Sequence, residues 1–195
     1  DSIAVELIQA GYISADGGAI HLTAAVMQDM LATVINMSGV VQARSVGVEN
    51  GEVVLYGGDW NGHSGGTIEV TGTIDASGKN AGETGGAIHV MAQQVAVFEN
   101  ASRGASGDAG GGEVLVGGDY QGGAYRGTLD KNNEEAGGTS AINQTSVSES
   151  IESFYDSVKG VPAASKVFMG SDATINVSAI NNGDAGRAIL WADET

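Results

Sequence analysis

The 195-residue sequence predicts an all-β chain, wound as a right-handed, single-stranded parallel β-helix, and three observations carry that expectation. Glycine supplies 32 residues, roughly twice its usual share, whereas proline occurs once. Apolar residues make up 42% of the chain and fall in short alternating segments, unlike the sparse hydrophobicity of disordered chains. A five-residue pattern also recurs along the chain: glycine, any residue, apolar, any residue, apolar. Collagen is excluded because it needs a three-residue glycine period and abundant proline.

The copies are Gly18-Ala19-Ile20-His21-Leu22, Gly51-Glu52-Val53-Val54-Leu55, Gly66-Thr67-Ile68-Glu69-Val70, Gly86-Ala87-Ile88-His89-Val90, Gly112-Glu113-Val114-Leu115-Val116 and the weaker Gly186-Arg187-Ala188-Ile189-Leu190. Side chains alternate faces along a strand, so Ile20/Leu22, Ile68/Val70 and Ile88/Val90 are expected to face a core. His21, Glu69 and His89 are then expected to face solvent. A second element precedes several copies: Gly39–Ala43, Gly72–Gly78, Ala101–Gly107 and Ala173–Ala179, each leading through a polar, glycine-rich turn to the next copy. The unit therefore reads as strand, turn, strand, with turn glycines supplying positive φ and tight corners.

A five-residue strand with one apolar face cannot bury that face alone. Stacking each strand on its equivalent one coil away solves this and builds ladders of like residues. The 20 residues from Gly66 to Gly86 suggest one coil. Allowing for an insertion, the chain then holds roughly eight coils, a rod of about 40 Å at the usual strand spacing.

Two stretches break the pattern. Val26, Met27, Met30, Leu31, Val34 and Ile35 are spaced for a helix, predicting a short one near 24–33 that runs into a strand at Val34–Asn36. The second, 124–165, contains a solvated Glu134–Ser140 loop. It then places Val147, Ile151, Phe154, Tyr155 and Val158 on one helical face near 147–159, between the candidate caps Ser146 or Ser148 and Gly160 with Pro162. The whole chain, 1–195, reads as one domain carrying this insertion.

Eight basic against 24 acidic residues leave a net charge of −16, which argues against binding nucleic acid or docking on anionic lipid. With no cysteine, disulfides, thiolate metal sites and cysteine nucleophiles are excluded. No apolar run approaches the roughly 18 residues of a spanning helix. Asp1–Ala10 does not resemble a signal peptide, so an exported protein would contain this sequence as a processed or excised piece.

Gly11–Ala24, Val34–Val46, Gly51–Asp59, Gly72–Gly78, Gly110–Gly123 and Val167–Thr195 resemble filamentous-haemagglutinin-like exoproteins, the large two-partner-secretion adhesins of Gram-negative bacteria. The closest blocks are Gly111-Gly112-Glu113-Val114-Leu115-Val116-Gly117-Gly118-Asp119-Tyr120-Gln121-Gly122 and Asp184-Ala185-Gly186-Arg187-Ala188-Ile189-Leu190-Trp191-Ala192-Asp193-Glu194-Thr195. The resemblance implies a right-handed parallel β-helix forming a surface shaft, exported through an outer-membrane transporter and presented at the cell surface or secreted. The family's amino-terminal secretion domain is not among these residues, and the 124–165 insertion departs from its shorter connection.

Candidate sites follow. Gly57-Gly58-Asp59-Trp60-Asn61-Gly62 is echoed by Gly117-Gly118-Asp119-Tyr120-Gln121-Gly122. An acidic residue beside an aromatic suits a sugar, or weakly bound Ca²⁺ with neighbouring oxygens. The plainer reading, in which Asp ties down the turn and the ring covers a coil edge, carries more weight. His21, His63 and His89 lack metal-ligand spacing, and His89 is expected to stack over Glu69 as an exposed pair. Ile151, Phe154 and Tyr155 form the face expected either to lie on the rod or to meet a partner. Asp75, Glu69 and Asp108 are the acids a polysaccharide-cleaving β-helix enzyme would use, but Arg44, Arg103 and Arg187 are isolated in the sequence.

The expected function is thus a non-enzymatic structural and adhesive segment, with no catalytic residue and no required cofactor. Its partners would be a cell-surface receptor or glycan, and further copies of itself end to end, without nucleic acid or direct membrane insertion. A polysaccharide-active lyase or hydrolase is the alternative, and a self-assembling extracellular fibre module the next.

Overall fold

The computed structural model describes residues 6–25, 33–58, 65–119 and 163–193. The described residues are all-β, and no helix occurs among them. They form three parallel sheets of five strands. The first contains β1 (Leu7–Gln9), β4 (Thr33–Met37), β7 (Thr67–Val70), β10 (Gln94–Val97) and β13 (Lys166–Met169). The second contains β2 (Tyr12–Ser14), β5 (Val40–Gln42), β8 (Thr73–Asp75), β11 (Ser102–Gly104) and β14 (Thr174–Asn176). The third contains β3 (Ala19–Ala24), β6 (Glu52–Gly57), β9 (Ala87–Ala92), β12 (Glu113–Val116) and β15 (Arg187–Leu190). Each sheet takes every third strand, so three successive strands contribute one step to all three sheets.

Register follows the apolar alternation. In the first sheet Leu7, Ile35, Ile68, Val95 and Val167 stand side by side, and in the third Ile20, Val53, Ile88, Val114 and Ala188 do the same. These ladders share one core with Val41, Ile74, Ala43, Ala76 and Ala105. Burying each large aliphatic side chain contributes about 1.5–3 kcal/mol, and a one-residue slip would turn a whole ladder outward.

The 20-residue repeat expected between Gly66 and Gly86 is not a coil. Ile68 neighbours Ile35 and Val95 in the first sheet, whereas Ile88 neighbours Val53 and Val114 in the third. The described residues therefore build five steps of three strands rather than eight of two. First-sheet strands such as β10 carry no leading glycine, which is why they escape the pattern.

Five of the six glycine motifs open third-sheet strands, and four of their glycines, Gly51, Gly86, Gly112 and Gly186, serve close packing rather than positive φ. A Cβ on Gly86 would overlap the Gly51 carbonyl oxygen, one on Gly112 that of Gly86, and one on Gly186 that of Gly112. Backbone thus stacks on backbone at this corner. Gly66, by contrast, has φ 63. Gly86→Ala is expected to destabilise by about 3 kcal/mol or more, because the added Cβ meets the Gly51 backbone and the two strands must move apart there. A melting temperature within 2–3 °C of the parent's (about 1 kcal/mol) would refute the close approach.

The strand expected at Val34–Asn36 lies within β4. The helix expected near 24–33 falls mainly outside the described residues. Its ends are strand residues: Ala24 is buried beside Gly57 on β6, and Thr33 pairs with Thr67. The helix expected near 147–159 also lies outside the described residues. At the end of the 124–165 stretch, the Ala164 amide donates to the Gly117 carbonyl and Ala164 bridges Ala192, while the Ser165 amide donates to the Gln93 carbonyl.

Candidate functional site

The third sheet is buried on both faces across its three inner strands. Every residue of β6, β9 and β12 is buried, including the outward-facing Val54, Tyr56, His89, Met91 and Leu115. The sequence carries a signal for this: Val54, Met91 and Leu115 are apolar at positions where a half-exposed strand would be polar. His89, expected to face solvent, is instead fully buried, and Glu69 is not its neighbour because Glu69 lies in the first sheet beside Asn36 and Ala96. Its Nε2 donates to Glu113 Oε1 at 2.8 Å. Arg187 Nε donates to Glu113 Oε2 at 2.8 Å, its Nη2 also meets that oxygen, and its Nη1 lies 3.7 Å from Asp119 Oδ1. Burial pushes the Glu113 carboxyl up, but the bonds and charges of His89 and Arg187 outweigh it and hold the group below its ordinary value.

Other carboxylates brace successive turns. Asp16 accepts from Gln42 Nε2 and the Arg44 amide, and Asp75 accepts from Arg44 Nε at 2.8 Å, Ser77 and Lys79. Glu83 accepts from Asn80 and from the Gly47 amide one step away. Asp108 accepts from the Gly82 amide and from Asn181 Nδ2. Burial raises Asp75, but Ser77, Arg44 and Lys79 bring it below its ordinary value; Asn80 lowers Glu83 and the Gly82 amide lowers Asp108.

Asp75, Glu83, Asp108 and Glu113 each have a lower pKa folded than unfolded. Their stabilisation is therefore complete above the unfolded values near pH 4 and is lost as pH falls through the folded ones. The melting temperature is expected to hold from pH 7 to about pH 5 and to drop below about pH 4. Glu113→Gln is expected to lower stability at pH 7 by about 3 kcal/mol and to flatten that acid limb, since it leaves the buried His89 facing a neutral amide. An unchanged limb in melts of this variant would remove Glu113 from the account.

Arg103 is the one charged side chain among the described residues that points into the core. It stands in the second-sheet ladder between Ile74 and Ile175, fully buried, and its three guanidinium nitrogens have no hydrogen-bond partner among the described residues. Burial alone pulls its pKa down to about 10.

The outward face of the first sheet carries an open groove of about 470 Å³, lined in part by Thr67, Gln94, Ala96, Ser165, Lys166 and Phe168. Phe168 is 54% and Phe98 37% exposed, and their rings sit 6.0 Å apart at 52°. Neither residue stands out in the sequence, because the groove forms only when β10 and β13, far apart in the chain, become neighbours.

Of the sequence-predicted sites, Asp119 is described, and its Oδ1 lies 3.7 Å from Arg187 Nη1. Asp59, Trp60, Tyr120, Ile151, Phe154, Tyr155 and His63 lie outside the described residues. His21 and His89 do occupy one outward ladder, separated by Val54, and burial lowers the His21 pKa. Among the described residues no three His, Asp or Glu side chains are grouped to hold a metal ion, and no helix is long and apolar enough to cross a membrane. No family model matches the chain, and no curated protein matches it.

Proposed function

We propose that this chain is a segment of right-handed, single-stranded parallel β-helix from a filamentous-haemagglutinin-like exoprotein, a non-enzymatic shaft that displays binding surfaces. The observation that carries the reading is the parallel strand order of all three sheets, each built from every third strand. Winding one chain around a common core produces that order, and right-handed crossovers are the rule for parallel strands. The use of acids supports the non-enzymatic part: Asp75, Asp108 and Glu113 hold backbone amides, amide side chains or basic residues, so their lone pairs are engaged in bracing. On this reading the protein is exported through an outer-membrane transporter and meets a receptor or glycan at the surface of the cell or beyond.

Beads coated with the purified chain should adhere to host cells or glycan surfaces without altering them. Incubation with polyuronates and other glycans should release no new reducing ends or unsaturated products. Turnover abolished by Asp75→Asn or Asp108→Asn would overturn the reading in favour of a polysaccharide-active enzyme.

End-to-end association has its own support. In the β13–β14–β15 step the core-facing Met169 and Ile175 are only half-buried, and Leu190 is 40% exposed. Each strand there pairs on one side only among the described residues, leaving an edge able to accept another strand. Sedimentation should show species that grow with concentration; a monomer throughout would remove this part.

A further inference from the structure

We propose that the groove on the outward face of the first sheet binds a carboxylate-bearing sugar, with Phe168 as its stacking platform and Lys166 as its charge contact. The proposal rests on the adhesive reading and names its ligand class. Two columns build the groove. Thr67, Gln94 and Lys166 are register partners and form a polar rim; Ala96 and Phe168, register partners in the column beside it, add a small floor and an aromatic wall.

A pyranose offers an apolar C–H face and a rim of hydroxyls. An exposed aromatic ring beside a few fixed polar groups matches both, and the volume lies within the range of small-ligand sites. The tilted Phe98 ring backs Phe168 and limits its freedom. Ser165 Oγ donates to the Gln93 carbonyl, which leaves its lone pairs able to accept from a sugar hydroxyl.

Charge selects the class of sugar. Among the described cations, Arg44 and Lys79 lie on Asp75, Arg187 lies on Glu113, and Arg103 is inside the core. Lys166 is exposed, lines the groove and makes no ion pair among the described residues. In a chain of net charge −16, an ammonium with no ion pair among the described residues, beside an aromatic platform, is where a ligand carboxylate finds complementarity.

The test is titration of the full chain, by NMR or calorimetry, with an oligomer of galacturonic acid and the matching neutral oligomer of galactose. The acidic oligomer is expected to bind about three- to fivefold more tightly at low salt, the gain of one exposed ion pair, and Lys166→Gln is expected to erase that preference. Phe168→Ala is expected to weaken both oligomers about tenfold. Both side chains are exposed, and unchanged melting of the variants confirms that the fold is kept. Absence of binding, equal binding of the two oligomers, or affinities indifferent to both substitutions would overturn the proposal. The bead assay separates the two failures: adhesion that survives Lys166→Gln and Phe168→Ala sinks the groove alone, whereas a parent chain that adheres to nothing sinks the adhesive reading.

Discussion

Arg103→Met is expected to stabilise the protein at pH 7 by on the order of 3 kcal/mol, roughly 5–10 °C in melting temperature. The side chain is fully buried between Ile74 and Ile175, and its nitrogens have no partner among the described residues, so its charge is desolvated without compensation. Methionine keeps the unbranched stem and much of the volume while removing that charge. The pH dependence gives a second readout. A cation whose folded pKa, about 10, lies below its unfolded value destabilises the fold fully below pH 10, and the penalty fades as pH rises from 10 towards the unfolded value. The variant's advantage should therefore be large at pH 7 and smaller at pH 10.5. A variant that melts with the parent or below it at pH 7 would mean that the guanidinium is satisfied within the core.

Ile88→Asp is expected to abolish cooperative folding at pH 7. Ile88 is fully buried in the third-sheet ladder between Val53 and Val114. The substitution removes packing worth about 2–5 kcal/mol and leaves a carboxylate to be buried or protonated, a further ~4–7 kcal/mol if its pKa must rise by 3–5 units. The sum rivals the 5–15 kcal/mol of a typical domain. Circular dichroism and melting like the parent's would place Ile88 on the other face and undo the register.

The three-sheet register was partly legible before any coordinates. Alternation in Gly86–Val90 and its copies identifies which residues face the core, because a strand has only two faces. It does not identify which copies are neighbours: Gly66–Val70 looks like Gly86–Val90 yet belongs to another sheet. The turn glycines Gly47, Gly82, Gly110 and Gly183 do take the positive φ expected of them, whereas the third-sheet corner at Gly51, Gly86, Gly112 and Gly186 requires instead the absence of a Cβ. His89 was misplaced for a related reason. Alternation says that it leaves the core, but only the third dimension shows that the outer face of its sheet is covered as well. The braces that cross from one step to the next, Arg44 with Asp75, the Gly47 amide with Glu83 and Asn181 with Asp108, join residues some thirty positions or more apart, so spacing along the chain carries no trace of them. The Phe98–Phe168 groove was invisible for the same reason.

The pairing of β10 with β13 has a consequence for how such a chain can change. Gln94 to Val97 matches Lys166 to Met169 residue for residue, although residues 98–165 intervene in the sequence, 120–162 among them. Alignment of the two strands is thus indifferent to the length of the excursion that separates them, as long as it leaves and returns at the same corner. Novel sequence can be spliced into such a connection, lengthened or exchanged, while the ladder on either side keeps its place. Evolution can therefore experiment at the corners of this architecture without renegotiating its interior.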